Sequence, residues 1–461
     1  MKEELFTDFQ EVSAKAWKQK IQYDLKGADY NEKLVWESPE GIKVKPFYHA
    51  DDRTTELLPV PTPPKAWNIV QHINVDTATS ANARALHALK NGADSIRFSI
   101  TSAPADLKTL YQNITLEHTE VTLDFHDLPP DAVSYLGTLQ SDPLALNLDP
   151  IGKLARSGNW YRRMKDDFEL LDTLLLSPKA HPQKNTISVD ASLYQNAGAT
   201  MVQQLAYALA HANEYLNRYP KLTSLNLKVA VGGNYFFEIA KIRALRKLFN
   251  LLAPEYNNNL NCHIEASPSQ RNKTLYDYNM NMIRTTTEAM SAILGGADAV
   301  SSLNYDFIYH DNNEFAERMA RNQLLILKTE SYFNSLEKVA DGSYYIESLT
   351  DQLAEKALFL FKNIEAGGGF LKQLKQHTLQ KKIKESAQKE QLRFDNKQEV
   401  LVGTNAYTNR EDQMKSQLHR NPFMARRAQK TLIEPIIPKR LSEKLERERL
   451  EQEGWHERSN Q

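Results

Sequence analysis

From residue 67 onward the chain repeats one unit, a short apolar or β-branched run followed by a longer stretch with helical periodicity. The runs span residues 69–73, 95–100, 120–125, 144–148, 186–190, 225–231, 262–266 and 297–303. The helical stretches between them are clearest at 76–90, 104–117, 198–217, 235–252, 275–294 and 312–332. A strand returned to by way of a helix pairs in parallel with its predecessor. Eight such units over about 260 residues match an α/β fold of the (β/α)8 TIM-type barrel. An open doubly wound sheet has the same rhythm and stays open as an alternative.

The flanks differ in character. Residues 1–64 read as an N-terminal arm and linker, with a polar helix over 8–25. Strand-like pieces at 34–36 and 42–44 flank Pro39-Glu40-Gly41. Pro59, Pro61, Pro63 and Pro64 then break the chain, because proline donates no hydrogen bond and fixes its own φ. Residues 65–335 form the expected barrel, and 336–410 a helical extension. Within the extension a helix runs into Gly367-Gly368-Gly369, where positive φ is free of steric cost. A Lys/Gln-rich stretch, 371–399, reads as a solvated helix. Residues 411–461 form a charged tail. Its stretch 439–453 mixes both signs and reads as a solvated helix, a partner-docked helix or disorder.

Composition excludes several classes. The formal net charge of −1 gives no electrostatic argument for nucleic acid or an anionic membrane. The small basic clusters Arg426-Arg427 and Lys439-Arg440 are interleaved with acids. Cys262 is the single cysteine, so internal disulfides and thiolate zinc clusters are excluded, and a reducing, cytoplasmic setting is expected. The charged N-terminus lacks the apolar core of a secretory signal. No run of about 18 apolar residues could span a membrane.

Barrel chemistry sits where strands end at their C-terminal side. Residues near those positions are His72, Asn74, Asp124, His126, Asp149, Asp190, Ser192, Glu265 and Asn304. A metal hydrolase needs several imidazoles and carboxylates on one ion, and the first, fifth and sixth runs offer no histidine pair. Asp124-Phe125-His126 carries the start of a D-x-H-x-x-G pattern, but Pro129 takes the glycine position. Gly232-Gly233-Asn234 opens a helix without the spacing of a nucleotide fingerprint, and reads as a tight turn. A stand-alone barrel hydrolase using Asp124, Asp149, Asp190 and Glu265 remains possible on residue types alone.

The segment 67–82, WNIVQHINVDTATSAN, resembles the first barrel strand of the adenosylcobalamin-dependent acyl-CoA mutases, W-x-I-R-Q-Y-A-G-F-S-T-A-x-x-S-N. Trp67, Ile69, Gln71, Thr77, Ala78 and Asn82 keep the frame. Val70 stands at the family's Arg, His72 at its substrate-contacting Tyr, and Asn74 at its Gly. The likeness continues through LKGADYNEKLVWESPEGIKVKPFYHADD (25–52), VAVGGNYFFEIAKIRALRKLF (229–249), IRTTTEAMSAILGGAD (283–298), RMARNQLLILKTES (318–331) and DGSYYIESLTDQLAEKA (341–357). It covers roughly residues 20–410.

The departures fall on the reactive groups. After the fifth strand the family has Y-H-M-Q-E-A-G-A-T, and this chain has Ser192 and Leu193 at the Tyr–His pair. Leucine has neither donor nor acceptor to replace an imidazole. Glu265 falls at a substrate-binding His, where a carboxylate would repel an acyl carboxylate. The family's T-I-Q-N-D block has no counterpart, and relatives continue into a cobalamin-binding domain near the point where this chain ends.

The pattern is similar to the small, non-catalytic subunit of a heterodimeric methylmalonyl-CoA mutase, an enzyme of propionate metabolism. That resemblance implies no catalytic, cofactor-binding or metal-binding residue in this chain. It implies adenosylcobalamin in a large-subunit partner that interconverts methylmalonyl-CoA and succinyl-CoA. A catalytic barrel of a split mutase, served by a separate cobalamin-binding chain, is the enzymatic alternative. The family's arm wraps the other subunit, so the aromatic residues Trp17, Trp36, Phe47 and Tyr48, with Leu34, are expected to anchor there. Phe98, Val121, Val189 and Ile264 are expected to fill the barrel interior and leave no tunnel for coenzyme A.

Overall fold

A computed structural model describes residues 10–52, 60–61, 66–101, 106–129, 131–137, 139, 142–175, 186–257, 259–311, 313–335, 338–423 and 430–455. Pro59, Pro63, Pro64, Arg426 and Arg427 lie outside the described residues. Two short strands, β1 (Trp36–Glu37) and β2 (Lys43–Val44), form an antiparallel hairpin around Pro39-Glu40-Gly41. Seven more strands make one parallel sheet. They are β3 (Asn68–Asn74), β4 (Ser95–Ile100), β5 (Glu120–Phe125), β6 (Ser188–Asp190), β7 (Ser224–Val231), β8 (Asn261–Pro268) and β9 (Ala299–Ser301). Their spatial order is β5-β4-β3-β9-β8-β7-β6.

The segment 144–148 lies between the two outer strands. Leu123 N donates to Ala145 O at 2.8 Å and Ala145 N to Val121 O at 3.0 Å. On the other side Leu148 N donates to Thr186 O at 2.9 Å and Ser188 N to Leu148 O at 3.2 Å. The eighth position is therefore filled and the sheet curls round on itself as an α/β, TIM-type barrel, which decides against the open sheet. Asn147 sits at φ 41°, in the left-handed region, so this segment pairs by single bridges and not by a continuous ladder.

Most of the strands bury both faces, β3 being open at His72 and Asn74 where it reaches the barrel mouth. Ile96, Phe98, Ile100, Val121, Leu123, Val189, Leu227 and Ile264 join the main core that the helices cover. The side chains between them face the barrel axis. This corrects the expected interior set: Phe98, Val121, Val189 and Ile264 point outward to the helices, one residue out of register with the expectation. The reason is chemical, since amphipathic helices present apolar faces that only the outer strand face can bury.

Helices Ala78–Lys90, Met201–Arg218, Tyr235–Leu252, Met280–Leu294 and Glu314–Leu325 stand where periodicity put them. The expected helix at 104–117 is only a 3-10 turn, Lys108–Tyr111. Asn113 at φ 63° cannot continue it. Helix Tyr344–Ala366 packs on Met201–Arg218 and Tyr235–Leu252, then stops at the glycines, with Gly368 and Gly369 at φ 100° and 88°. The Lys/Gln-rich stretch forms helix Thr378–Asp395, but Leu379, Gln380, Ile383 and Phe394 are buried, so one face is packed and not solvated. The tail docks within the chain. Ile436 N donates to Ala155 O, Lys439 N to Asn196 O and Leu441 N to Arg271 O, at 2.8–3.0 Å. Helix Glu443–Gln452 buries Glu446 and Leu450.

Part of the arm is integral to the core. Ile42 is fully buried, and the Glu40 carboxylate accepts from Met201 N and Val202 N at 2.7 and 2.9 Å, satisfying the free N–H groups of that helix. Trp36 meets Phe237 edge-on and Tyr48 meets Tyr345. Helix Ala14–Asp24 differs: it buries no residue. Among the described residues no helix is long and apolar enough to cross a membrane.

Candidate functional site

Parallel register brings charged side chains into layers along the barrel axis. His72 pairs with Arg97 across β3 and β4, Asp190 with Lys228 across β6 and β7, and Lys228 with Glu265 across β7 and β8. Arg97 and Glu265 form an ion pair although β3 and β9 separate their strands, so both side chains cross the interior. Lys228 Nζ lies 2.7 Å from Asp124 and 3.8 Å from Asp190. Arg156 closes on Asp190 from helix Pro150–Ser157. Lower down, Asn226 donates to Asn147 Oδ1 at 3.0 Å and the His263 ring lies 3.9 Å from Glu120. The axis is filled, by ion pairs and amides.

These contacts set the protonation of the groups. Burial would raise Asp124, but Lys228 and Arg97 hold it down at about 2. Asp190 is likewise buried, and Lys228 and Arg156 hold it well below the usual carboxylate range. His72 is solvent-accessible at the barrel mouth, where desolvation by the surrounding barrel and the Arg97 charge push its imidazole down to about 4, which favours the neutral form at pH 7. Desolvation also lowers His126, whose Nε2 is 2.8 Å from Ser99 Oγ.

The sequence-flagged residues divide into three groups. His72, Asn74 and Asn304 line a cavity of about 210 Å3 at the C-terminal mouth, beside Val70, Gln71, Arg84, Phe307, His310 and Arg420. Asp124, Asp190 and Glu265 are held in the axial ion pairs and do not line that cavity. Ser192 Oγ donates to Asp190 Oδ1 at 2.5 Å, while Leu193 is buried in the main core. Asp149 turns away from the axis. It caps helix Pro150–Ser157 through Gly152 N, and accepts from His211 Nε2 at 2.9 Å and Tyr215 OH at 2.7 Å. The four carboxylates of the hydrolase reading thus share no pocket. Among the described residues no three His, Cys, Asp or Glu side chains come together in a metal-ligating arrangement.

Arg97, Lys228 and Arg156 escaped the sequence reading. The signal for Arg97 and Lys228 was present as polar or charged residues at every second position of otherwise apolar strands, as in Ser95-Arg97-Ser99 and Asn226-Lys228, whereas Arg156 lies on a helix and carried no such pattern. The resemblance motifs, by contrast, bond to one another. Arg321 donates to Gln71 Oε1 at 2.9 Å. Arg243 holds Asp341 and Glu347 at 2.6 and 2.8 Å. Arg246 holds Gly296 O and Asp298, both at 2.7 Å. Asn82 donates to Leu110 O and Gln112 O at 2.9 Å. Gly232 N donates to Glu238 at 2.8 Å in the expected tight turn. The shared motifs are therefore structural fastenings of the barrel.

A family model described as methylmalonyl-CoA mutase matches residues 132–452. The chain is 34% identical over 446 residues to a protein of Porphyromonas gingivalis named methylmalonyl-CoA mutase small subunit, covering 88% of this chain and 72% of that one. It is 30% identical to the methylmalonyl-CoA mutase of Rhizobium meliloti, over 94% of this chain and 69% of the relative. Against the mitochondrial methylmalonyl-CoA mutase of Homo sapiens the figures are 27% identity, 85% and 60%. The fold, its fastenings and these likenesses agree, and the relation removes the reading as an unrelated hydrolase: the chain belongs to the methylmalonyl-CoA mutase family.

Proposed function

We propose that this chain is the non-catalytic small subunit of a heterodimeric, adenosylcobalamin-dependent methylmalonyl-CoA mutase in the cytoplasm. It stabilises a large subunit that binds the cobalamin and interconverts methylmalonyl-CoA and succinyl-CoA. The observation that carries this reading is the occupied axis, where Arg97–Glu265 and Lys228 with Asp124 and Asp190 span the interior. The cavity of about 210 Å3 left at the mouth is smaller than the roughly 300–1,000 Å3 of ordinary ligand sites. Radical chemistry needs a cofactor over a dry, closed site with hydrogen-bonding groups on the migrating carbonyl. The donor set here does not suit that cofactor. Leu193 is buried among apolar groups and Ser192 is turned onto Asp190.

The test is turnover of methylmalonyl-CoA with adenosylcobalamin, measured for this chain alone and with its large subunit. No turnover alone and full turnover together is the expected result. Robust activity of the chain alone would end the proposal. Activity restored by a separate small cobalamin-binding protein would favour the split-mutase alternative instead.

In this reading the start of the arm reaches over the large subunit. Val12, Trp17 and Tyr23 are exposed on or beside a helix that has no buried residue, its contacts with its own chain being Trp17 edge-on to Phe47 and Ala14 N to Asp51 at 3.0 Å. Large aromatics presented this way serve as anchors on a partner surface. Removing residues 1–28 is expected to abolish heterodimer formation in size exclusion while circular dichroism loses only the contribution of helix Ala14–Asp24 and thermal unfolding of the barrel stays cooperative. A deletion to residue 60 would be a poorer experiment, because it also removes Glu40 and Ile42 from the core. A heterodimer that survives the shorter truncation would show that the arm is dispensable.

A further inference from the structure

The tail segment around Met414–Phe423 and the loop after β9 share a satellite apolar cluster. Leu275, Tyr276, Ile308, Tyr309, Met414 and Phe423 form it, apart from the main core. At the seam, His419 N and Arg420 N both donate to Tyr309 O, at 2.9 and 3.2 Å. The Arg420 side chain donates to Ile308 O at 3.3 Å, to Phe307 O, and to Asp311 Oδ1 at 2.9 Å. Across the same seam the rings of His310 and His419 stand 4.2 Å apart, centre to centre. Phe307, His310, Asp311 and Arg420 also form one wall of the mouth cavity.

We propose that His310 and His419 form a proton-operated catch that fastens the tail segment over the barrel mouth. Imidazole is the side chain that ordinarily changes charge between pH 5 and 8. Two neutral rings, or one neutral and one charged, make this tilted contact, 49° between ring planes, without electrostatic penalty. Two charged rings repel. Asp306 lies one turn before His310, whose Nδ1 is 2.8 Å from Asp311 O, while the Asp311 carboxylate is matched by Arg420. With both rings charged, the pair and the adjacent Arg420 guanidinium put three positive charges at one seam. Across the cavity Arg84 and Glu317 offset each other in an ion pair, and His72 is neutral. Weak acid therefore loosens the tail and opens the mouth, and neutral pH closes it.

Both rings are at least partly solvent-accessible, so the repulsion is screened and its effect is modest. Two unit charges about 4 Å apart in a water-like medium correspond to a population change of about fivefold. The measurement is amide hydrogen exchange of His419 and Arg420 in the full chain, expressed as protection relative to intrinsic exchange at each pH. Protection is expected to fall about threefold between pH 7.5 and pH 5.5, the fivefold limit reduced by salt screening, with helix Tyr235–Leu252 unchanged as internal control. In His419→Phe and His310→Gln, substitutions that solvent-accessible positions tolerate, protection stays level over the same range. Equal protection of the native chain at both pH values would overturn the proposal. So would an equal fall in both variants.

Discussion

Lys228→Leu is expected to lower folding stability by about 3–5 kcal/mol at pH 7, the usual consequence of removing one partner from a buried ion pair. Lys228 stands between Asp124 and Asp190 inside the barrel, and without it two carboxylates face each other with less compensation. The pH dependence carries a second signature. In the native chain Asp124 is held down at about 2, so its contribution is present above the ordinary carboxylate value. That contribution is lost as pH falls towards 2. In the variant the paired carboxylates move upward and take up a proton in weak acid. The stability gap between the two proteins should therefore narrow as pH falls from 7 to 4. Urea unfolding followed by circular dichroism at both pH values measures it. A gap that is below about 1 kcal/mol at pH 7, or that widens in acid, would show that Lys228 is solvated and not a structural tie.

Asp149→Ala is expected to be as costly, about 4 kcal/mol or more. One carboxylate here serves four donors: Gly152 N, Asp190 N, His211 Nε2 and Tyr215 OH, at 2.7–3.1 Å. His211 is fully buried, stacked on Phe370 at 5.0 Å, with its other ring nitrogen 2.9 Å from Tyr194 OH. Alanine removes a helix cap and strands buried donors together, so the losses reinforce each other. Burial would raise Asp149, but the His211 charge and its hydrogen bond hold it below the usual range. Its contribution is therefore present at neutral pH and fades in acid. Asp149→Asn keeps an acceptor and the shape, and should lose clearly less. If alanine and asparagine were equivalent, the hub would have no electrostatic content.

Much of the fold was legible because a barrel strand must cover helices with its outer face. Ile96, Phe98 and Ile100, or Leu225, Leu227 and Val229, announce strands on apolar character alone. Which face is which was not legible from the same residues, since the alternation fixes two faces and leaves their direction free. The direction lay in Arg97, Lys228 and Glu265, which have no place against an apolar helix. Read as isolated charges, they said nothing. Read as partners across the axis, they decide the register. Asp149 illustrates a different limit. A carboxylate after a strand looks the same in sequence whether it faces a substrate or a buried histidine some 60 residues away.

The short bridging segment 144–148 has a consequence for how the barrel assembles. Every other neighbouring pair of strands shares a run of register partners, whereas this closure rests on two isolated bridges, Thr122–Ala145 and Leu148–Ile187. The left-handed Asn147 between them keeps the two bridges from merging into one ladder. The ring therefore has a seam. The strands that flank this seam are expected to part more readily than the laddered pairs. Native-state exchange should single out the amides of Ala145 and Leu148 as the earliest to open. Two fragments divided beside this seam are the natural pair for reassembling the barrel from halves.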